Sequence, residues 1–118
     1  FLCSPADETP SEPCDARADE VDIARTIDKL NVHTRLGIRS VSSHWAGLRT
    51  FAPDRAMVIG PDPDHPNFIW CVGQGGTGIQ TSPGAGRLVA DLTTTGTPSA
   101  HFAETGLDAS ALAPGRLR

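Results

Sequence analysis

Three glycines, Gly73, Gly75 and Gly78, stand in the order G-x-G-x-x-G within IWCVGQGGTGIQ, directly after an apolar run that reads as a strand. This spacing suits phosphate. One glycine allows a tight turn, the next lets backbone approach a pyrophosphate, and the last permits close helix packing, with the anion held on a helix N-terminus. A complete dinucleotide fingerprint also needs an uninterrupted helix and a second strand ending in an acidic residue about 20 positions on. Here Pro83, Gly84 and Gly86 interrupt the helix, and Asp91 falls inside the later helical stretch. The residues favour a glycine loop before a helix. A plain strand-to-helix turn, with glycines for geometry alone, stays open beside it.

Arg49 is the second group with chemistry to offer. If the surrounding stretch is extended, strand alternation puts Arg49 on one face with Trp45, Gly47 and Phe51, among aromatic rings and beside a glycine gap. A guanidinium there needs an anion, and its planar fork matches a carboxylate bidentately. A structural ion pair is the other reading. His33, His44, His65 and His101 show no ligand spacing, there is no G-x-S-x-G, and no cysteine has the context of a nucleophile. Neither a metal site nor a catalytic residue of the nucleophile or strong-base kind is expected. His44 reads as a rim residue, and Asp54 as an Asx-type cap of the turn before RAMVIG.

These residues must be positioned by a small chain. With 118 residues there is one domain's worth of core at most. Twelve glycines and ten prolines, with four Phe, two Trp and no Tyr, make it rich in loops and thin in large core side chains. A formal net charge of -4 offers no basic surface to a phosphate backbone, so nucleic acid is not expected as a partner. Cys3, Cys14 and Cys71 form an odd set without C-x-x-C, which suits reduced thiols and a cytoplasmic setting. No apolar run reaches membrane-spanning length.

Residues 1–18 carry prolines at 5, 10 and 13 among acidic and small polar residues and read as loop or edge. From Asp19 the pattern turns helical: Asp19 as N-cap, Glu20 and Asp22 in the first turn, a stripe of Ile23, Ile27 and Leu30, and Gly37 as terminator. IRSVSSHWAGLRTF reads as extended, APDR as a turn, and AMVIG and FIWCV as strands whose seven-residue connection leaves no room for a crossover helix, so they should pair antiparallel. The helix after the glycine loop starts either at Ser82, with Pro83 at N1, or near Gly78 with Pro83 inside it. In both cases Ala85, Leu88, Val89 and Leu92 form its buried face and TTTGTPS ends it. The tail should hold one turn of helix around Asp108 to Leu112 before a frayed basic end.

In order, W-x-G-x-R, T-x-x-P-D, V-I-G, an apolar strand, G-x-G-G-x-G and a small-residue helix resemble the C-terminal part of FAD-dependent amine and amino-acid oxidoreductases of the D-amino-acid oxidase, glycine oxidase and D-amino-acid dehydrogenase group. The likeness covers nearly the whole chain. It implies an α+β fragment with one amphipathic helix, a small mostly antiparallel sheet and a C-terminal helix that packs on a flavin-binding domain. Residues 1–50 would belong to the substrate-binding domain and 51–118 would return to the FAD-binding domain. In this group the pyrophosphate is held by a separate N-terminal glycine turn, so Gly73, Gly75, Gly76, Thr77, Gly78 and Ile79 would contact the flavin ring instead. Amides at a helix mouth suit the negative charge that a reduced flavin gains. Arg49 would hold the substrate carboxylate, with Gln80 beside flavin and substrate where sarcosine oxidase-like members carry a lysine. Gly47 replaces the cysteine that links flavin in those members, which implies non-covalent FAD.

The implied reaction is oxidation of an amine or amino acid to the imine by hydride transfer to FAD, in which orientation and charge stabilisation carry most of the catalysis. The expected partners are a missing N-terminal part of the parent enzyme and a small amine or amino-acid substrate, with self-association through uncovered apolar surface. The 118 residues alone should be inactive. Two other classes stay open at this point: a stand-alone binding or assembly module, and a nucleotide-binding domain using Gly73 to Gly78.

Overall fold

The computed structural model describes residues 1–118, which divide into two compact units, Phe1–Leu48 and Arg49–Arg118. No helix is long and apolar enough to cross a membrane.

The first unit is built on α1, Glu20–His33. It begins where Asp19, in extended conformation, accepts from the amides of Val21 at 2.8 Å and Asp22 at 3.1 Å. These bonds satisfy donors that have no partner in the helix itself. At the other end Thr34 donates to Leu30 O through both its amide and its hydroxyl. The Asn31 side chain then accepts from Ile38 N at 2.7 Å and donates to Ile38 O at 2.9 Å, folding the chain back past Gly37, whose φ is +58°. The stripe of Ile23, Ile27 and Leu30 is only half-buried, and no residue of α1 is buried. Residues 1–18 form no helix or strand.

The second unit holds β1, Val58–Pro61, and β2, Ile69–Val72, paired antiparallel with Val58 opposite Val72 and Gly60 opposite Trp70. Asp62 organises the connection. Its carboxylate accepts from the amides of Asp64 and His65 and from Trp70 Nε1, each at 2.9 Å. These donors, the indole foremost, lower its pKa from 3.8 to about 2. The bonds they make favour the ionised carboxyl, so the stabilisation is whole above about pH 4 and is lost as the pH falls toward 2. Residues 38–51, expected to be extended, join no ladder, because the sheet has only these two strands.

After β2 the glycine turn leads into α2, Gly78–Thr94, with Pro83 inside the helix. Proline removes the N–H that would bond Ile79 O. Ser82 Oγ donates to that carbonyl at 2.8 Å, so the group stays satisfied and the helix runs through. Of the expected buried face, Ala85 and Leu88 are buried, and Val89 and Leu92 pack against them from half-buried positions. Ile59 and Leu88, each 1% exposed, form the centre together with Phe102 of α3, Ala100–Glu104. Burying side chains of this size contributes about 2–3 kcal/mol apiece. Asp91 Oδ2 accepts from Ser99 N at 2.9 Å and ties α2 to the start of α3.

Two 3-10 turns close the chain, Ala109–Leu112, capped by Asp108, and Pro114–Leu117. The first falls where the sequence places a turn of helix. The basic end is not frayed. Arg116 pairs with Asp54 and Arg118 with Asp64, so long-range ion pairs hold a segment whose local composition suggests none.

Candidate functional site

The turn between β2 and α2 is where the residues with chemistry gather. Gly73 has φ +74° and Gly75 φ +55°, both in the left-handed region that favours glycine. A Cβ on Gly73 would lie 3.5 Å from Ala52 N, and one on Gly75 would lie 2.5 Å from Phe51 Cε1. The left-handed backbone therefore accounts for Gly73, and backbone and packing together account for Gly75. Gly75 N also donates to Thr50 O at 3.0 Å, binding the turn to the segment that carries Arg49.

Arg49 reaches the same turn. Its Nη1 lies 3.3 Å from where a Gly76 Cβ would stand, and its guanidinium sits 5.6 Å from the Phe51 ring centroid. Arg55 covers the same ring at 4.7 Å. The alternation expected to place Arg49 on a strand face does not operate, since no strand forms there. Contact with the ring and the turn takes its place.

The mouth of α2 is open. Thr77 occupies the N-cap, but its hydroxyl donates back to Gln74 O at 3.0 Å, and no side chain caps the first turn. No acidic residue stands in that turn. The first amides of α2 and the positive end of its dipole thus have no capping or acidic side chain of their own turn against them. Ile79, 95% exposed, sets an apolar surface beside them.

Gln80 stands in the first turn of α2 and also lines an apolar hollow of about 300 Å³ with Met57, Ile59, Leu88, Phe102 and Leu112, which Arg49 does not line. Asp54 accepts from Ala56 N at 3.1 Å as a turn cap and also pairs with Arg116, whose hydrogen bond holds the carboxyl below its ordinary range. Arg55 and Arg116 escaped the sequence reading, whereas Phe51 was expected beside Arg49 and is found there. Arg55 has φ +64°, which nothing in its residue type announces, and the partners of Arg116 lie far away along the chain.

An antiparallel hairpin, a tight glycine turn, an uncapped helix mouth and a cation against the turn come together within residues 49–118. The chain belongs to the FAD-dependent oxidoreductase family, whose sequence profile matches residues 3–92. It is 30% identical over 93 residues to the mouse FAD-dependent oxidoreductase domain-containing protein 1, covering 76% of this chain and 19% of that protein. Against the bovine protein of the same name it is 30% identical over 105 residues, 85% of this chain and 20% of the other. A D-amino acid dehydrogenase of Bradyrhizobium diazoefficiens is 36% identical over 78 residues, 66% of this chain and 17% of that enzyme. The chain thus spans a fifth or less of the length of these relatives. FAD is the cofactor of the family. The Phe51 ring fills the space beside Gly75.

Proposed function

We propose that this chain is the C-terminal part of a flavoprotein that oxidises an amine or amino acid to the imine, acting on CH–NH or CH–NH2 donors. FAD, when bound, would supply the acceptor for the hydride, which carries both electrons, while the nitrogen proton leaves separately. The chain's own contribution is orientation and charge. Arg49 grips the substrate carboxylate through its planar fork, and the Phe51 ring stiffens the guanidinium from one side. The amides of Gly78 and Ile79, which no side chain caps, would be the donors that favour negative charge on a bound flavin. Gln80, in the first turn of α2, acts as a neutral hydrogen-bond donor beside flavin and substrate, since its amide carries no charge.

The observation that carries this reading is the Arg49 guanidinium against Gly76 at an uncapped helix mouth. Family membership supports the cofactor, and the likeness to a D-amino acid dehydrogenase supports the donor class. Residues 1–50 are assigned to the substrate-binding domain and 51–118 to the return segment on the FAD-binding domain, so the remainder of the parent enzyme is the principal partner and the isolated chain is inactive. Exposed apolar side chains such as Phe68 and Ile79 would otherwise drive self-association. FAD is held non-covalently, as Gly47 offers no thiol. The three exposed cysteines suit a reducing, cytoplasmic compartment.

Arg49→Ala in the full-length protein tests the assignment with D-alanine as substrate. Removing a charge-assisted pair should raise KM by about 100-fold while the flavin stays bound. Unchanged kinetics would remove the carboxylate role.

A further inference from the structure

Arg116 is a C-terminal arginine with a side chain only 15% exposed. Its Nε donates to Asp54 Oδ2 at 2.6 Å, and Nη2 donates to Asp54 Oδ1 at 3.1 Å and to Ala56 O at 3.0 Å. Nη1 donates to Leu112 O at 2.7 Å and Ala113 O at 3.1 Å. Each of the five guanidinium N–H groups thus has an acceptor, a degree of satisfaction that fixes the fork in one orientation. A tail arginine serving only solubility would not be locked in this way.

The carboxylate it grips belongs to the turn that carries Phe51. Arg55 N donates to Ala52 O at 2.8 Å and Ala56 N to Asp54 Oδ1 at 3.1 Å, so the turn is closed from within and held by Arg116 from without. Phe51 bears Arg49 on its ring and abuts Gly75 at its edge, while Thr50 O accepts the Gly75 amide. Movement of the turn would therefore displace the ring, and with it both the guanidinium and the glycine turn.

We propose that Arg116 and Asp54 form a clamp that positions Arg49 over the glycine turn, making Arg116 a positioning residue for carboxylate binding. The positioning role rests on the reading that Arg49 grips a carboxylate, and the clamp itself rests on geometry alone. The hydrogen bond from Arg116 holds the Asp54 carboxyl below its ordinary range, so the carboxylate persists to lower pH than a free one would.

Arg116→Lys keeps the charge and loses the fork, whereas Asp54→Asn keeps the cap to Ala56 and loses the charge. Both are made in the full-length flavoprotein, singly, together and on an Arg49→Ala background. Amide hydrogen exchange is read at Arg55 and Gly75, with Leu88 and Leu92 as references, and binding of acetate and acetamide is followed by flavin absorbance. Either substitution should speed exchange at Arg55 and Gly75 about tenfold without affecting the references, and weaken acetate about tenfold but not acetamide. The double variant should be no worse than the worse single one, and on the Arg49→Ala background neither substitution should affect acetate further. Unchanged exchange at Gly75 overturns the clamp. Faster exchange with acetate affinity intact, or equal losses for acetate and acetamide, overturns the positioning role. If Arg49→Ala alone leaves acetate binding untouched, the carboxylate reading fails instead, and exchange at Gly75 still decides the clamp.

Discussion

Residues 1–48 contain the best-signalled helix of the chain and no buried side chain, whereas residues 49–118 contain two four-residue strands and a helix with proline inside it, yet hold all five buried apolar side chains. The contrast separates two sources of order. α1 is specified by its ends: an Asp cap, acids in the first turn, a Thr and Asn closure. Such devices contribute about 1 kcal/mol each and act within a few residues. The second unit is specified by burial, in which Ile59, Leu88 and Phe102 exclude water from one another and tolerate imperfect local sequence around them. Good local grammar produces a helix. A centre that can hold a functional turn in place needs contacts across the chain.

Three substitutions sharpen that contrast. Leu88→Ala should cost about 3–4 kcal/mol, read by denaturant unfolding and by loss of amide protection in β1, β2 and α2, because it empties one of the two most enclosed positions of the second unit. A cost under 1 kcal/mol would show that this centre is not what holds the unit. Gly75→Ala should cost about 2–3 kcal/mol, since a left-handed alanine is strained and its methyl would meet the Phe51 ring. If stability were untouched and only flavin affinity fell, Gly75 would be kept for the cofactor and not for packing. Asp19→Ala should cost about 1 kcal/mol, confined to faster exchange at Val21 and Asp22 and a shortened α1 by circular dichroism. A loss as large as that of Leu88→Ala would mean that the first unit depends on more than its caps.

Much of the fold was legible. The strand pair followed from a connection too short for a crossover, and the buried face of α2 followed from helical spacing, because both are properties of a dozen residues at most. The start of α2 was legible only as two alternatives. Pro83 made Ser82 an attractive beginning, and only the hydroxyl bond to Ile79 O shows how the helix runs through. The candidate site was readable in its components and not in its joints. The glycines and Arg49 stood out by type, but Arg49 reaches the turn through the Phe51 ring and not through strand alternation, and Gln80 faces a different hollow.

The sequence alone settled where α1 begins, which face of α2 turns inward and that the chain carries the pattern of an FAD-dependent family, because these depend on neighbours in the chain or on order along it. Tertiary structure alone decided that the basic tail is tied down, that Gly75 yields its space to Phe51, and that the mouth of α2 is left without a cap. Those outcomes depend on atoms distant in sequence, on which carbonyl a guanidinium meets and which ring fills a gap, and no local pattern of residue types encodes such meetings.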